Sequence, residues 1–581
     1  MTADQPGVAG QQAGGGQRPG GGKGDGKSGL AGVARGGTMN LAGAAVAAIS
    51  TLGVTVLVTR HFSKYAAGSF FTATSAFLIV EMIGTLGAHN GLVYFIARFR
   101  SLDEDDRIPA VLRAALTPVI VASVALMIAM LVFANPLAHV LLNYHQGSGS
   151  TAGSTDGVNV IEVALRGLAF LVPFATLENA VLGASRGYRE MRPTVIIDRV
   201  GVSIAQLAAV LAAAFSGSVA LLAPLWALPY LPATIIGWVW LRRIQRDAPS
   251  HPGDALPDVP PELAALLALA TPEPGSRPAQ PARPRWETLG RVARKRLAGA
   301  TRQDFWRFTT PRAVATVVST IIQRVDIVII AIMKGPVEAA VYTAATRFLV
   351  LGQFAGTAIA RSSQPRLTEL FTVRDRHGTN VVYQATTAWL VLLTFPIYLL
   401  VLVYGSQALA IFGHSYRAGY PVMAVLCVAM LAGALTGQVD IVLITSGKSS
   451  WSMLNGLLVL VTNVGLDLWL IPRHGILGAA IAWAVAITVS NVVPMIQLAS
   501  VFRLQPISRG VIIAVLLTVV SFLAVPLAIR TALGSSWLSL AAAAIAASLV
   551  LAAGVLRFRG PLKLQGVARL PGMRGRRPGR R

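Results

Sequence analysis

The sequence predicts an all-α polytopic membrane protein. Three observations predict it. Of the 581 residues 54% are hydrophobic and only 13% charged; the mean hydropathy is +0.61; and apolar runs of bilayer-crossing length, about 17 to 25 residues, recur along the chain. The useful count is therefore of spans, not of soluble domains.

Residues 1–38 are rich in Gly, Gln and Lys, have no apolar core and read as a disordered cytosolic tail without a cleavable signal. Six apolar runs follow, at 39–59, 69–88 with a polar-spotted extension to 97, 108–133, 160–182, 195–215 and 219–241, and define a first lobe over 39–241. Residues 242–304 break the pattern with Pro-rich and then basic sequence, a flexible cytosolic loop that ends in a short surface helix. A second six, at 308–333, 337–360, 384–404, 421–445, 451–471 and 475–499, define a second lobe over 305–500. Two extra C-terminal helices, at 510–529 and 537–556 within 501–558, precede a basic cytosolic tail at 559–581, so the expected total is about 14 transmembrane helices.

Lys and Arg in the short flanks set the orientation. Arg98, Arg100, Arg107, Arg186, Arg189, Arg192, Arg366, Arg374, Arg376 and Lys448 all fall on the side of the N-terminus, which places both termini in the cytosol. The opposite loops are nearly bare, with Arg60 and Lys64 in the first of them the main exception. The net charge of +25 is carried by loops and tails beside apolar spans, so anionic membrane lipids, not nucleic acid, are the expected partner. The single cysteine, Cys427, excludes a disulfide framework and a Cys-based metal site.

Charges inside the spans point to chemistry. Arg324, Asp326 and Arg347 interrupt apolar sequence, and an ionisable group near the bilayer centre costs about 2.5–3.5 kcal/mol even on the lenient insertion scale, so it faces a bundle interior or a wet pathway. Arg347 falls about ten residues into its span, roughly 15 Å at the helical rise and close to mid-depth. Asn463 and Asp467 are spaced to share one helix face. Glu81, Glu178 and Asp440 are the other intramembrane acids. Two weak internal matches, AAGSFFTATSAFLIV against AAVYTAATRFLVL and LGASRGYR against LITSGKSS, read as traces of parallel repeats.

DIVIIAIMKGPVEAAVYTAATRFLVL, QPRLTEL and NVGLDLWLIPRHGILGAAIAWAVA together resemble the polysaccharide and lipid-linked oligosaccharide flippases of the MATE-like (MOP) superfamily, which include O-antigen-type flippases and are related to lipid II flippases. The resemblance covers roughly 39–500. It implies two six-helix lobes in a V-shaped arrangement and a transporter, not an enzyme, in a bacterial-type cytoplasmic membrane. The implied activity carries a polyprenyl-(pyro)phosphate-linked oligosaccharide or cell-wall glycan precursor from the inner to the outer leaflet by alternating access, in company with glycan-biosynthesis enzymes on the cytosolic face. Arg347 matches the cavity-facing Arg of the family's eighth span. Arg324, Arg312 and Glu81 join it as substrate-site candidates, because a planar guanidinium pairs phosphate bidentately and keeps its proton; the other reading of Arg347 is a structural ion pair with Glu81. Asp326, Asn463 and Asp467 are the candidates for a coupling Na+ or H+, although Ala479 and Trp483 stand where a further hydroxyl ligand is expected; the alternative pairs Asp326 with Arg324 or Arg347 and puts Asp467 at the outer interface. Glu178 and Asp440 are gate candidates. The rival readings are a multidrug or cation antiporter of the same superfamily and, from another class, a polytopic glycosyltransferase, polymerase or scaffold.

Overall fold

The computed structural model describes residues 25–102, 104–143, 154–247 and 291–562, and among them every regular element is helical. Most of the N-terminal tail, most of the Pro-rich loop and the basic C-terminal tail lie outside the described residues.

The first lobe opens with α1 (Asp25–His61). This helix starts well ahead of the span expected at 39, within sequence read as a disordered tail, because extension of an already nucleated helix adds one hydrogen bond per residue fixed. α2 (Lys64–Thr85) is capped by Ser63, whose hydroxyl oxygen accepts from the Ala66 N–H at 3.2 Å. It stops where Leu86 and Gly87 turn to φ of 51° and 66°, and α3 (Ala88–Ser101) carries the second span on. α4 (Ile108–Asn143) follows, then α5 (Ser154–Ala169) and α6 (Val172–Gly187), bent by 42°. A π-helical stretch, Thr194–Val202, runs into α7 (Ser203–Ser216), and α8 (Val219–Ala227) and α9 (Tyr230–Asp247) complete this half.

The second half begins with α10 (Arg291–Lys334), α11 (Pro336–Thr346) and α12 (Leu349–Thr372). α13 (Arg376–Ala410) is capped by Asp375, which accepts from the Gly378 N–H at 2.8 Å. α14 (Tyr420–Thr436), α15 (Val439–Thr445) and α16 (Ser449–Phe502) follow. α17 (Arg509–Val519), α18 (Val525–Leu533) and α19 (Trp537–Arg557) close the described chain. They pack on α13, where Val391, Phe395 and Leu399 meet Val511, Phe522 and Ala547.

Among the described residues 11 helices are long and apolar enough to cross a membrane, or 12 with the bent pair α5 and α6 taken as one span. The expected 14 differs for two local reasons. α16 is a single 54-residue run that reverses at Gly475 (φ 58°, ψ −142°), and Asn455 and Gln497 on its two limbs exchange amide hydrogen bonds of 2.8 and 3.0 Å. The eighth expected span is divided at Arg347 between α11 and α12, neither of which is among the helices that qualify.

Take the face carrying Lys64, Lys334 and His414 as the outer one, as the charge count assigns it. The core is then continuous between the lobes at the outer end and divided at the inner end. One cluster joins Phe70, Phe71 and Phe77 of α2 to Ala340, Tyr342 and Ala344 of α11 and to Leu409 and Phe412 beyond them. Small residues allow that approach: Gly68 lies so close to Pro336 that a Cβ there would strike the proline carbonyl. At the inner end Leu92, Phe95, Val111 and Phe305 form one core and Leu367, Tyr383, Leu443 and Leu498 another. The lobes thus share one core at the first end and have separate cores at the other.

α10 belongs to both halves, although the sequence count assigns it to the second lobe. Its inner part lies on the first lobe: Trp306 Nε1 donates to the Ala114 carbonyl at 3.1 Å, Asn90 donates to Thr316 at 3.3 Å, and the Tyr94 and Phe308 rings stack at 4.0 Å. Its outer end is tied to the second lobe, with Lys334 Nζ donating to the Pro472 carbonyl at 3.0 Å. Between α10 and the start of α16 a cavity of about 850 Å3 opens beside Arg302, Arg307, Pro311 and Met453.

Gly68→Val adds bulk where two backbones touch and should destabilise the shut outer face by about 1–3 kcal/mol. Thermal unfolding of the purified protein checks it: the expected outcome is a lowered Tm for Gly68→Val and an undiminished Tm for Gly465→Ala, an exposed helical position where an added Cβ meets nothing within 4 Å.

Candidate functional site

Arg347 sits where α11 ends and the chain re-forms as α12, so its guanidinium leaves the bundle wall at a break in the helix. Its Cζ lies 5.7 Å from the centroid of the Phe71 ring on α2, across the lobe interface. Its Nε is buried without a hydrogen-bond partner. Among the described residues no carboxylate pairs with it, and the charge that acts on it is the like charge of Arg324. Arg324, half-buried on α10, faces the Tyr230 hydroxyl of the first lobe. The charges of Arg324 and Arg347 thus act on one another, and among the described residues no carboxylate is paired with either.

The proposed Glu81 partnership does not form. Glu81 lies within α2 and faces the first lobe, where its Oε1 accepts from Asn179 Nδ2 at 3.1 Å and the residue is 7% exposed. Glu81 therefore leaves the substrate-site set that the sequence assigned it to. Its surroundings are Glu178, buried with Oε1 unpartnered, and Asp198 and Arg199 on the π-helical stretch, with Arg186 beside them. Asp198 and Arg199 escaped the sequence reading. The signal was present, since IIDRVG places an acid and a base inside an apolar run just as RVDI does. Glu178 lies in this buried cluster, whereas Asp440 is exposed and accepts from Ser452 Oγ at 2.5 Å; the structure does not bring the two gate candidates together. Arg312 is exposed on α10, stacked 3.8 Å from the Phe308 centroid and donating to that residue's carbonyl at 3.1 Å, away from Arg347.

Asp326, Asn463 and Asp467 do converge. Asp326 and Arg324 are two apart on α10 and so point to opposite sides of the helix, Asp326 inward to the second lobe. Its Oδ2 accepts from the Tyr342 hydroxyl at 2.8 Å, and Asn463 Nδ2 donates to Asp467 Oδ2 at 3.3 Å. The Asp326 and Asp467 carboxyls are within hydrogen-bonding reach of each other. All three residues are buried, at 4, 0 and 0% exposure, and among the described residues Asp326 pairs with neither arginine. Each keeps one side-chain oxygen, Asp326 Oδ1, Asn463 Oδ1 and Asp467 Oδ1, without a partner. Two facing carboxyls in a dry core must share a proton or a cation, and three idle oxygens suit a hard monovalent ion. Among the described residues no group of three or more His, Cys, Asp or Glu side chains is placed to hold a metal ion. The twelfth span offers Ala479, fully buried, in place of a hydroxyl.

The fold, two helical lobes in contact at one end, is similar to that of solved transporters of the MOP superfamily. The solved structure of the lipid II flippase MurJ in an inward closed conformation superposes with a TM-score of 0.63 at 14% identity, covering 88% of this chain and 97% of that one. A multidrug resistance MATE family transporter of the MOP superfamily, inward-facing, gives 0.57 at 14% identity over 78% and 95% of the two chains. An outward-facing structure of such a MATE family transporter gives 0.51 at 15% identity over 81% and 95%. At these identities the likeness is one of fold. No protein-family model matches the chain, and no curated protein does.

Tyr342→Phe removes the hydroxyl donor from Asp326 and should cost about 1–3 kcal/mol, read as a lowered Tm. In the native protein, Na+ exchanged for choline at constant ionic strength should lower Tm if the shared species is Na+ and leave it unchanged if it is a proton. Asp326→Asn and Asp467→Asn should both erase a Na+ effect.

Proposed function

We propose that this chain is a membrane transporter that flips a polyprenyl-(pyro)phosphate-linked oligosaccharide or cell-wall glycan precursor from the inner to the outer leaflet. The observation that carries this reading is Arg347 beside Phe71 at the lobe interface, its Nε without a partner, under the like charge of Arg324 and, among the described residues, with no paired carboxylate. A diphosphate leaving water must exchange its hydration shell for fixed cations and donors, and two guanidinium forks offer both. A cationic drug at the same place would meet two like charges, which weighs against the antiporter reading.

The fold supports the same assignment, since one of its solved examples is a lipid II flippase. Alternating access is the mode that this reading implies. In the inward-parted state the headgroup enters from the cytosolic side and reaches Arg347 past the inner half of α12, where Gln353 and Thr357 are exposed. A coupling Na+ or H+ at Asp326, Asn463 and Asp467 would act on the substrate site through α10, which carries Asp326 and Arg324 on opposite faces. The membrane is of the bacterial cytoplasmic type, with both termini in the cytosol and glycan-biosynthesis enzymes as neighbours on that side. No catalytic group is assigned.

The test is flipping of a fluorescent undecaprenyl-pyrophosphate oligosaccharide in proteoliposomes. Loss of charge-assisted bonds of about 1.5–3 kcal/mol predicts a rate lower by about tenfold or more in Arg347→Ala, with partial recovery in Arg347→Lys. Full-rate flipping by folded Arg347→Ala removes this residue from the site. Ethidium export by the native protein without glycan flipping replaces the reading with the antiporter.

A further inference from the structure

Arg60 and Lys64 break the charge asymmetry of the loops, and the structure gives each a partner in the opposite lobe. Arg60, in the last turn of α1, donates from Nε to the Ile411 carbonyl at 2.7 Å and from Nη2 to the Ala410 carbonyl at 2.9 Å. Lys64 Nζ donates to the Ser415 carbonyl at 3.3 Å and stands 5.6 Å from the centroid of the Tyr416 ring. Ala410 and Ile411 close α13. The Ala410 carbonyl already accepts from the Gly413 N–H at 3.1 Å, whereas a helix end carries the negative end of its dipole, so a cation is favoured at both carbonyls.

The position of these contacts matters as much as their chemistry. Lys64 is one helical turn from Gly68, whose backbone touches Pro336 in the seam between the lobes. Phe412 and Tyr416, on either side of the contact, are buried in the core that spans both halves. Arg60 itself is exposed, so water can replace the carbonyls when the contact breaks, and no charge is stranded in the interior. Carbonyl acceptors at a wet edge make a contact that holds one state without trapping the molecule in it.

We propose that Arg60 and Lys64 form a two-point clasp on the end of α13 that holds the outer face shut and must release before that face opens. The inference concerns the state of the lobes and holds whatever the substrate. The test uses the full chain with its single cysteine replaced, Cys427→Ala, and a reporter, Ala340→Cys, on α11 in the shut seam, where residue 340 is fully buried. A membrane-impermeant maleimide added outside right-side-out cells should label position 340 about tenfold faster in Arg60→Gln/Lys64→Gln, the gain expected from a tenfold shift in population. The complementary reporter Thr357→Cys, exposed on α12, should label more slowly from the inside. Unchanged labelling at both positions in folded double variant overturns the clasp. Should the double variant fail to reach the membrane, Arg60→Gln and Lys64→Gln alone decide on the same readout. A protein that flips no glycan yet shows the labelling change keeps the clasp and loses only the transport reading.

Discussion

Two guanidinium groups near one another in a poorly hydrated interior repel, and each lacks the water that would stabilise it. Such a pair persists only where the surrounding bundle fixes both side chains and where an anion or a wet pathway reaches them. Much of the architecture follows from that requirement. The helix that carries Arg347 breaks at that residue, the second span brings Phe71 against it, and Arg324 projects from the one helix shared by both halves. The acids that could have neutralised the arginines are turned away: Glu81 toward Asn179 in the first lobe, and Asp326 toward Tyr342 in the second.

Each lobe therefore holds its own buried acids, and the basic pair lies between them. In the first lobe Asp198 and the two glutamates sit with Arg186 and Arg199 on and around a π-helical stretch, a geometry that re-aims side chains within a span. In the second, the carboxyls face one another without a base and keep idle oxygens. The difference suits different duties, a compensated polar joint in one half and an unsaturated acceptor in the other.

Much of the fold was legible because the membrane leaves few choices. Hydrophobic run length gave most of the helices, and the gap between the runs ending at 333 and beginning at 337 located the joint before α11. What run length could not see is where a span breaks or folds back. The division at Arg347, the reversal at Gly475 and the extension of α1 to Asp25 depend on tertiary contacts and on φ values open to glycine. At the site, Arg324, Asp326, Arg347, Asn463 and Asp467 stood out as polar groups in apolar sequence. Their partners did not. Whether Glu81 meets Arg347 or Asn179 depends on which face of α2 meets which lobe, which hydropathy does not record, and Asp198 was hidden by treating its run as an ordinary span.

The attachment of α10 at both ends has a mechanical consequence. Its inner stretch is bonded to Ala114 and Asn90 of one lobe and its outer tip to Pro472 of the other, so any rotation of the lobes must be absorbed as curvature within this single helix. Pro311, which lacks an amide hydrogen and interrupts the ladder, makes the inner stretch the compliant one. The outer stretch, stiff by comparison, carries Arg324 on one side and Asp326 on the other. A substitution that alters the flexural stiffness near Pro311 would therefore change how Arg324 and Asp326 move relative to the two lobes without touching either side chain.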